Sequence, residues 1–203
     1  MTDGSDTYRV LTGRGSSLLR EKASKFIGLA FPVSTADHFK QELAAIRKEH
    51  HSARHWCHAY VLGELGDVHR SNDDGEPSGT AGSPILRHIQ GAGLTNTAMV
   101  VVRYFGGTLL GKGGLVQAYG DAAQKALIQA PSELRHMLVG VALTCTHAQF
   151  EQVRADVARA SGRIDSTTFD VVCSATLLLP RSQVGSLLLR WREGGIAHCA
   201  PMA

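Results

Sequence analysis

Apolar positions along this chain fall into short alternating or continuous runs, separated by stretches with a helical period. Phe26 to Val33 reads as a strand. Ser34-Thr35-Ala36-Asp37 then reads as a capping box, opening a helix whose apolar positions Ala36, Phe39, Leu43 and Ile46 share one face. His55 to Leu62 is a second strand, followed by a glycine- and acid-rich loop from Gly66 to Gly82. Ser83-Pro84 predicts a cap with proline in the first turn of a short helix, Ile85 to Gln90, stopped by Gly91. Thr97 to Phe105 is apolar on both faces and is expected to be central in a sheet. A second glycine cluster precedes a helix from Leu115 to Gln129, and Pro131-Ser132 reads as a linker.

Beyond the linker the rhythm restarts. Met137 to Thr146 is a strand, His147 to Ala160 a helix, and Arg163 to Phe169 with Val171 to Leu179 a strand pair. Val184 to Trp191 is a helix and Gly195 to Pro201 a last strand. This βαββαβ order predicts a ferredoxin-like unit. Residues 1–17, rich in Ser, Gly, Asp and Thr, are expected to form a flexible lead-in. The predicted organisation is lead-in 1–17, a first domain over 18–131 and a second over 135–203. The fold class is therefore α+β.

Composition narrows the function little. The 203 residues are 43% hydrophobic and 19% charged, with a formal net charge of +3. There are 14 basic and 12 acidic residues before Pro131, and 7 and 6 after it, so neither half is strongly basic. No run approaches the ~18 apolar residues of a membrane span, and the N-terminus lacks a basic n-region and an apolar h-region. Four scattered cysteines without a CxxC pair suit a reduced chain, and a cytoplasmic location is expected.

Three segments carry candidate chemistry. Asp73, Asp74 and Glu76, in Ser71 to Gly82, put three carboxylates within four residues. They suit a hard cation, a basic partner or an acid–base pair, and equally a solvated turn. Gly106 to Lys112 fits GxxxxGK between a strand and a helix, but Gly113 stands where a nucleotide triphosphatase needs Ser or Thr, which excludes an ATPase. What remains is a glycine-rich helix start suited to an anion, with Arg103 and Lys112 adding charge. His50, His51, His55, Cys57 and His58 suggest zinc. On a strand, however, His55 and Cys57 share a face that His58 does not, and no second ligand pair follows. No metal or cofactor is predicted. Ser78, Thr80 and Ser83 would be nucleophiles only with a base beside them, for which His55 is the candidate.

The strings DDGEPSGTAG (Asp73–Gly82) and VRYFGG (Val102–Gly107) resemble the signature of the IMPACT/YigZ family. So do His55-Trp56-Cys57-His58-Ala59-Tyr60, the entry Lys22 to Ile27, Leu110-Gly111 and Gly113-Gly114-Leu115. The resemblance spans roughly Leu19 to Gln129. It implies an N-terminal ribosomal-protein-S5 domain-2-like fold and a C-terminal ferredoxin-like domain similar to the last domain of elongation factor G. It also implies a link to translation, because eukaryotic relatives are translational regulators that bind the activator of the starvation-responsive initiation-factor kinase. Carried over by position, the family's signature residues are His55, Asp73, Asp74, Glu76, Thr80, Arg103, Tyr104, Gly106, Gly107, Gly111, Gly113, Gly114 and Tyr119, to which Lys112 is added from the anion reading. Many relatives have Arg, Lys and Arg where this chain has Ser83, Leu109 and Gln117, so a phosphate-backbone site is expected to be weaker here. The expected function is a non-enzymatic binding or regulatory protein contacting ribosome, RNA or a translation-associated protein. The alternative is a hydrolase-like enzyme acting on a small phosphorylated or peptide-like substrate.

Overall fold

A computed structural model describes residues 6–202, and the chain divides into two compact α+β units. The first spans residues 8–135. Its strands β1 (Thr7–Leu11), β2 (Gly15–Glu21), β3 (Ser24–Pro32), β4 (His55–Leu62), β5 (Val68–Asn72), β6 (Thr97–Tyr104) and β7 (Ser132–His136) alternate with helices α1 (Ala36–Glu49), α2 (Gly82–Gly91) and α3 (Gly111–Gln129). Five strands form an antiparallel sheet in the order β2-β3-β6-β4-β5, while β1 pairs with β7 in a separate ribbon.

The sheet is buried on both faces because its central strands are apolar at odd and even positions alike. From β6, Met99 and Val101 face α2 and α3, packing with Phe26, Cys57, Ile85, Tyr119 and Ala122. Ala98, Val100 and Val102 face α1, packing with Phe31, Phe39 and Ile46. β6 is thus central, as its two-sided apolarity predicts. The inward row of β6 ends at Arg103, which lies in one rung between Phe26 of β3 and His55 of β4.

Several local expectations are corrected. Residues 7–11 and 15–21 of the expected lead-in are strands, and the Asp6 carboxylate accepts from the N–H and Oγ of Ser182 at 2.8 and 2.6 Å. Residues 1–5 of that lead-in lie outside the described residues. The α1 cap is Thr35, whose hydroxyl accepts from His38 N–H, rather than Ser34. α2 starts at Gly82, before Ser83-Pro84. The acidic loop contains edge strand β5, and Pro131-Ser132 leads directly into β7. Of the second glycine cluster, Gly106 and Gly107 precede α3, whereas Gly111, Gly113 and Gly114 form its first turn.

The second unit takes residues 6–7 and 136–202. Its order is β8 (Leu138–Cys145), α4 (His147–Arg159), β9 (Arg163–Phe169), β10 (Cys173–Pro180), α5 (Arg181–Glu193) and β11 (His198–Pro201). The antiparallel sheet runs β11-β8-β10-β9. α4 and α5 pack on it through Phe150, Val153, Leu187 and the fully buried Trp191, whose indole N–H donates to buried Asp156 at 2.9 Å.

Gly28 sets how closely α3 lies on the first sheet. A Cβ there would stand 2.5 Å from the Ala122 carbonyl oxygen and 2.6 Å from Ser17 Oγ, which itself donates to that carbonyl. Gly28→Ala is expected to destabilise the protein by about 1–3 kcal/mol through overpacking. Urea unfolding checks this; an unchanged midpoint would contradict the close packing.

Candidate functional site

The Arg103 guanidinium enters a space that the hydrophobic core leaves open at the end of β6. It is 5% exposed and lies between the rings of Phe26 and Phe105, each 5.3 Å from Cζ. Glu76, 9% exposed, meets it: Oε1 accepts from an Arg103 guanidinium N–H at 2.7 Å and from Tyr119 Oη at 2.7 Å. Ser24 Oγ lies 3.4 Å from the other terminal nitrogen of Arg103, and Arg103 Nε has no partner. Burial raises the Tyr119 hydroxyl pKa far above its ordinary value, so it stays a donor to Glu76. Burial also raises the Cys57 thiol, which donates to the Asp73 carbonyl at 2.9 Å.

The other two carboxylates of the acidic loop turn inward. Asp73 Oδ1 accepts from the N–H groups of Ala81 and Gly82, and Oδ2 accepts from that of Gly79, all within 2.8–2.9 Å. It thereby satisfies donors at the start of α2, where no side chain of the N-cap residue does so. Asp74 Oδ1 accepts from Arg47 at 2.6 Å and Oδ2 from Trp56 N–H at 2.8 Å, joining α1 to β4. Asp74 and Gly75 both have positive φ, 43° and 86°, which makes the reversal that aims the next carboxylate, Glu76, into the core.

In front of the Glu76–Arg103 pair lies an open cleft of about 450 Å³. Arg54, His55, Pro77, Phe105, Leu109, Leu110, Gly111, Lys112 and Leu115 complete its walls. His55 Nδ1 lies 2.9 Å from the Asp74 carbonyl oxygen, which can only accept, so Nδ1 carries a proton. Nε2 stands 3.9 Å from Glu76 Oε1. Neither Arg54 nor Lys112 forms an ion pair among the described residues, and no N-cap side chain covers the first amides of α3. Chemically, the cleft offers positive charge beside apolar walls.

Of the residues singled out in the sequence, His55, Glu76, Arg103, Gly111 and Lys112 line this cleft. Tyr119 stands behind Glu76. Thr80 is buried and donates to the Pro77 carbonyl at 2.6 Å. Tyr104 is on the α1 side, with its hydroxyl 2.9 Å from His50 Nδ1. A Cβ on Gly106 would stand 2.2 Å from the Ala23 backbone, so this glycine packs the β2–β3 turn. Gly107 and Gly111 supply positive φ, 88° and 74°, at the two ends of the loop that carries Leu109. Gly113 and Gly114 lie in the first turn of α3. Sequence reading missed Arg54, Pro77, Phe105, Leu110 and Leu115 as lining residues, and no local pattern marks them. Among the described residues no three His, Cys, Asp or Glu side chains converge on a metal-sized space.

The fold and this cleft define a two-unit α+β protein with an open pocket at one end of its first sheet. Residues 22–127 match the Impact N-terminal domain, and the chain belongs to the IMPACT family. It is 36% identical to the IMPACT family member YigZ of Escherichia coli K12 over 165 residues, 80% of this chain and 81% of that protein. It is 46% identical to the IMPACT family member YvyE of Bacillus subtilis over 121 residues, covering 60% of this chain and 56% of that one. A crystal structure described only as that of a hypothetical protein matches with a TM-score of 0.70 at 30% identity, covering 98% of each chain.

Burial raises the Asp73 pKa, but the three amide hydrogen bonds outweigh it and hold the carboxyl below its ordinary value. A depressed folded-state pKa stabilises the fold above the unfolded value of about 3.9 and loses that contribution as pH falls through the folded value. Asp73→Asn is therefore expected to lower stability at pH 7 and to flatten the acid limb below about pH 4. Unfolding midpoints across pH test this, and parallel wild-type and variant curves would contradict it.

Proposed function

We propose that this is a non-enzymatic binding protein of the cytoplasm, linked to translation, that contacts ribosome, RNA or a translation-associated protein through the Glu76–Pro77 and Phe105–Lys112 face. The observation that carries this reading is the division of charge. The carboxylates of the acidic loop meet internal donors, whereas Arg54 and Lys112 stand unpaired at the cleft. The surface offered to a partner is thus cationic and apolar, which suits an anionic group, and it needs no cofactor. Family membership supports the link to translation. The five-stranded sheet with helices on both faces supports an S5 domain-2-like fold for the first unit. The β11-β8-β10-β9 order supports a ferredoxin-like second unit. Among the described residues no helix is long and apolar enough to cross a membrane.

One observation favours the hydrolase-like alternative: His55 Nε2 stands 3.9 Å from Glu76 Oε1 in a cleft. Against it, Glu76 is already bonded to Arg103 and Tyr119, and no serine or cysteine lines the cleft as a nucleophile.

Ribosome co-sedimentation at low and moderate salt separates these readings. Wild type is expected in the ribosomal pellet at low salt, with retention falling as salt rises and lost in an Arg54→Ala/Lys112→Ala variant. Retention that ignores both salt and substitution would overturn the proposal.

A further inference from the structure

The cleft's charge, volume and walls together specify a ligand class, and the inference rests on the binding-cleft reading above. Arg103 and Glu76 neutralise each other, which leaves Arg54 and Lys112 lining the cleft together with the start of α3, whose first amides no N-cap side chain covers. That is two full charges plus roughly half a charge from the helix start. A phosphate monoester carries about −1.5 to −2 at neutral pH, close to a match, whereas a carboxylate would leave the site over-charged. Backbone amides at a helix start also suit phosphate oxygens. Arg103, 5% exposed, also lines the cleft, with its buried Nε lacking an acceptor.

The walls limit what carries the phosphate. Phe105, Leu109, Leu110 and Leu115 form an apolar side, and Leu109 is 82% exposed, with nothing packed over it. Arg54 lies 5.7 Å from the Phe105 ring, so guanidinium and aromatic face stand together. A space of about 450 Å³ is that of a small ligand rather than a folded domain. Glu76 and His55 lie at the floor, with Oε1 and Nε2 3.9 Å apart.

We propose that the cleft binds a phosphate monoester joined to a flat or apolar body, in chemical class a nucleoside 5′-monophosphate. The phosphate lies on Arg54, Lys112 and the first turn of α3, and the body lies against Phe105 and the Leu109 loop. The same chemistry exists in a free nucleotide and at the 5′-phosphorylated end of an RNA, so the test carries both.

Calorimetric titration of the full chain with adenosine 5′-monophosphate, adenosine and inorganic phosphate is the direct experiment, accompanied by 5′-phosphorylated and 5′-hydroxyl oligoadenylates. Adenosine 5′-monophosphate is expected to bind more tightly than adenosine or phosphate alone. Arg54→Ala and Lys112→Ala, both at exposed positions, should each weaken it roughly tenfold, the effect of one charge-assisted contact. Arg70→Ala, exposed on β5, serves as a control and should change nothing. Binding of the 5′-phosphorylated oligonucleotide alone, with the same two losses, would also uphold the proposal and assign the phosphate to an RNA end. Equal binding of phosphorylated and unphosphorylated probes, or binding indifferent to Arg54 and Lys112, would overturn it. So would ribosome retention by wild type without phosphate binding, which leaves the broader binding role standing.

Discussion

The Glu76–Arg103 ion pair is the constraint around which the first unit is arranged. Both side chains are nearly excluded from solvent, at 3% and 6% exposure, and their nitrogen and oxygen stand 2.7 Å apart. Placing two charges there costs desolvation energy that their attraction offsets only when the remaining hydrogen-bonding capacity is filled. Tyr119 fills part of it for Glu76, and Ser24 with the rings of Phe26 and Phe105 surrounds Arg103. The pair thus ties α3, β3, β6 and the acidic loop together, and removing one partner would leave an uncompensated buried charge.

This pairing also explains what the molecule shows to its surroundings. The loop must deliver Glu76 to Arg103, and it does so through the positive-φ step at Asp74 and Gly75. Asp73 and Asp74 hold that step in place from opposite sides, one at the start of α2 and the other on α1 and β4. A segment that looks like an acidic surface is therefore an internal brace. What remains outside the brace is Arg54, Lys112 and an apolar loop, so the sign of the exposed chemistry is opposite to that of the loop's composition.

Much of this architecture was legible because apolar patterning reports burial. Ala98 to Val102 is apolar at five successive positions, a composition that suits a strand covered on both faces. β5 and β7 escaped notice because all their residues are exposed, so no alternation marks them. The start of α3 was hidden by the glycines of its first turn, Gly111, Gly113 and Gly114, which weaken helix propensity. At the site, residue types were readable but their partners were not. Asp73 bonds to amides six to nine residues later, and Asp74 to a helix 27 residues earlier. Arg54 and Phe105 lie next to the recognised His55 and Tyr104, but nothing local says that they face a cleft.

The most direct test of the ion pair's central place is a double-mutant cycle on stability with Glu76→Gln, Arg103→Met and their combination, followed by urea unfolding. Each single change should cost about 3–5 kcal/mol, because it strands the other group in the core. The double variant should be more stable than the sum implies, with a coupling of at least about 1 kcal/mol. Single costs below about 1 kcal/mol that add within about 0.5 kcal/mol would mean that the two residues act independently. In that case the brace would not depend on their pairing.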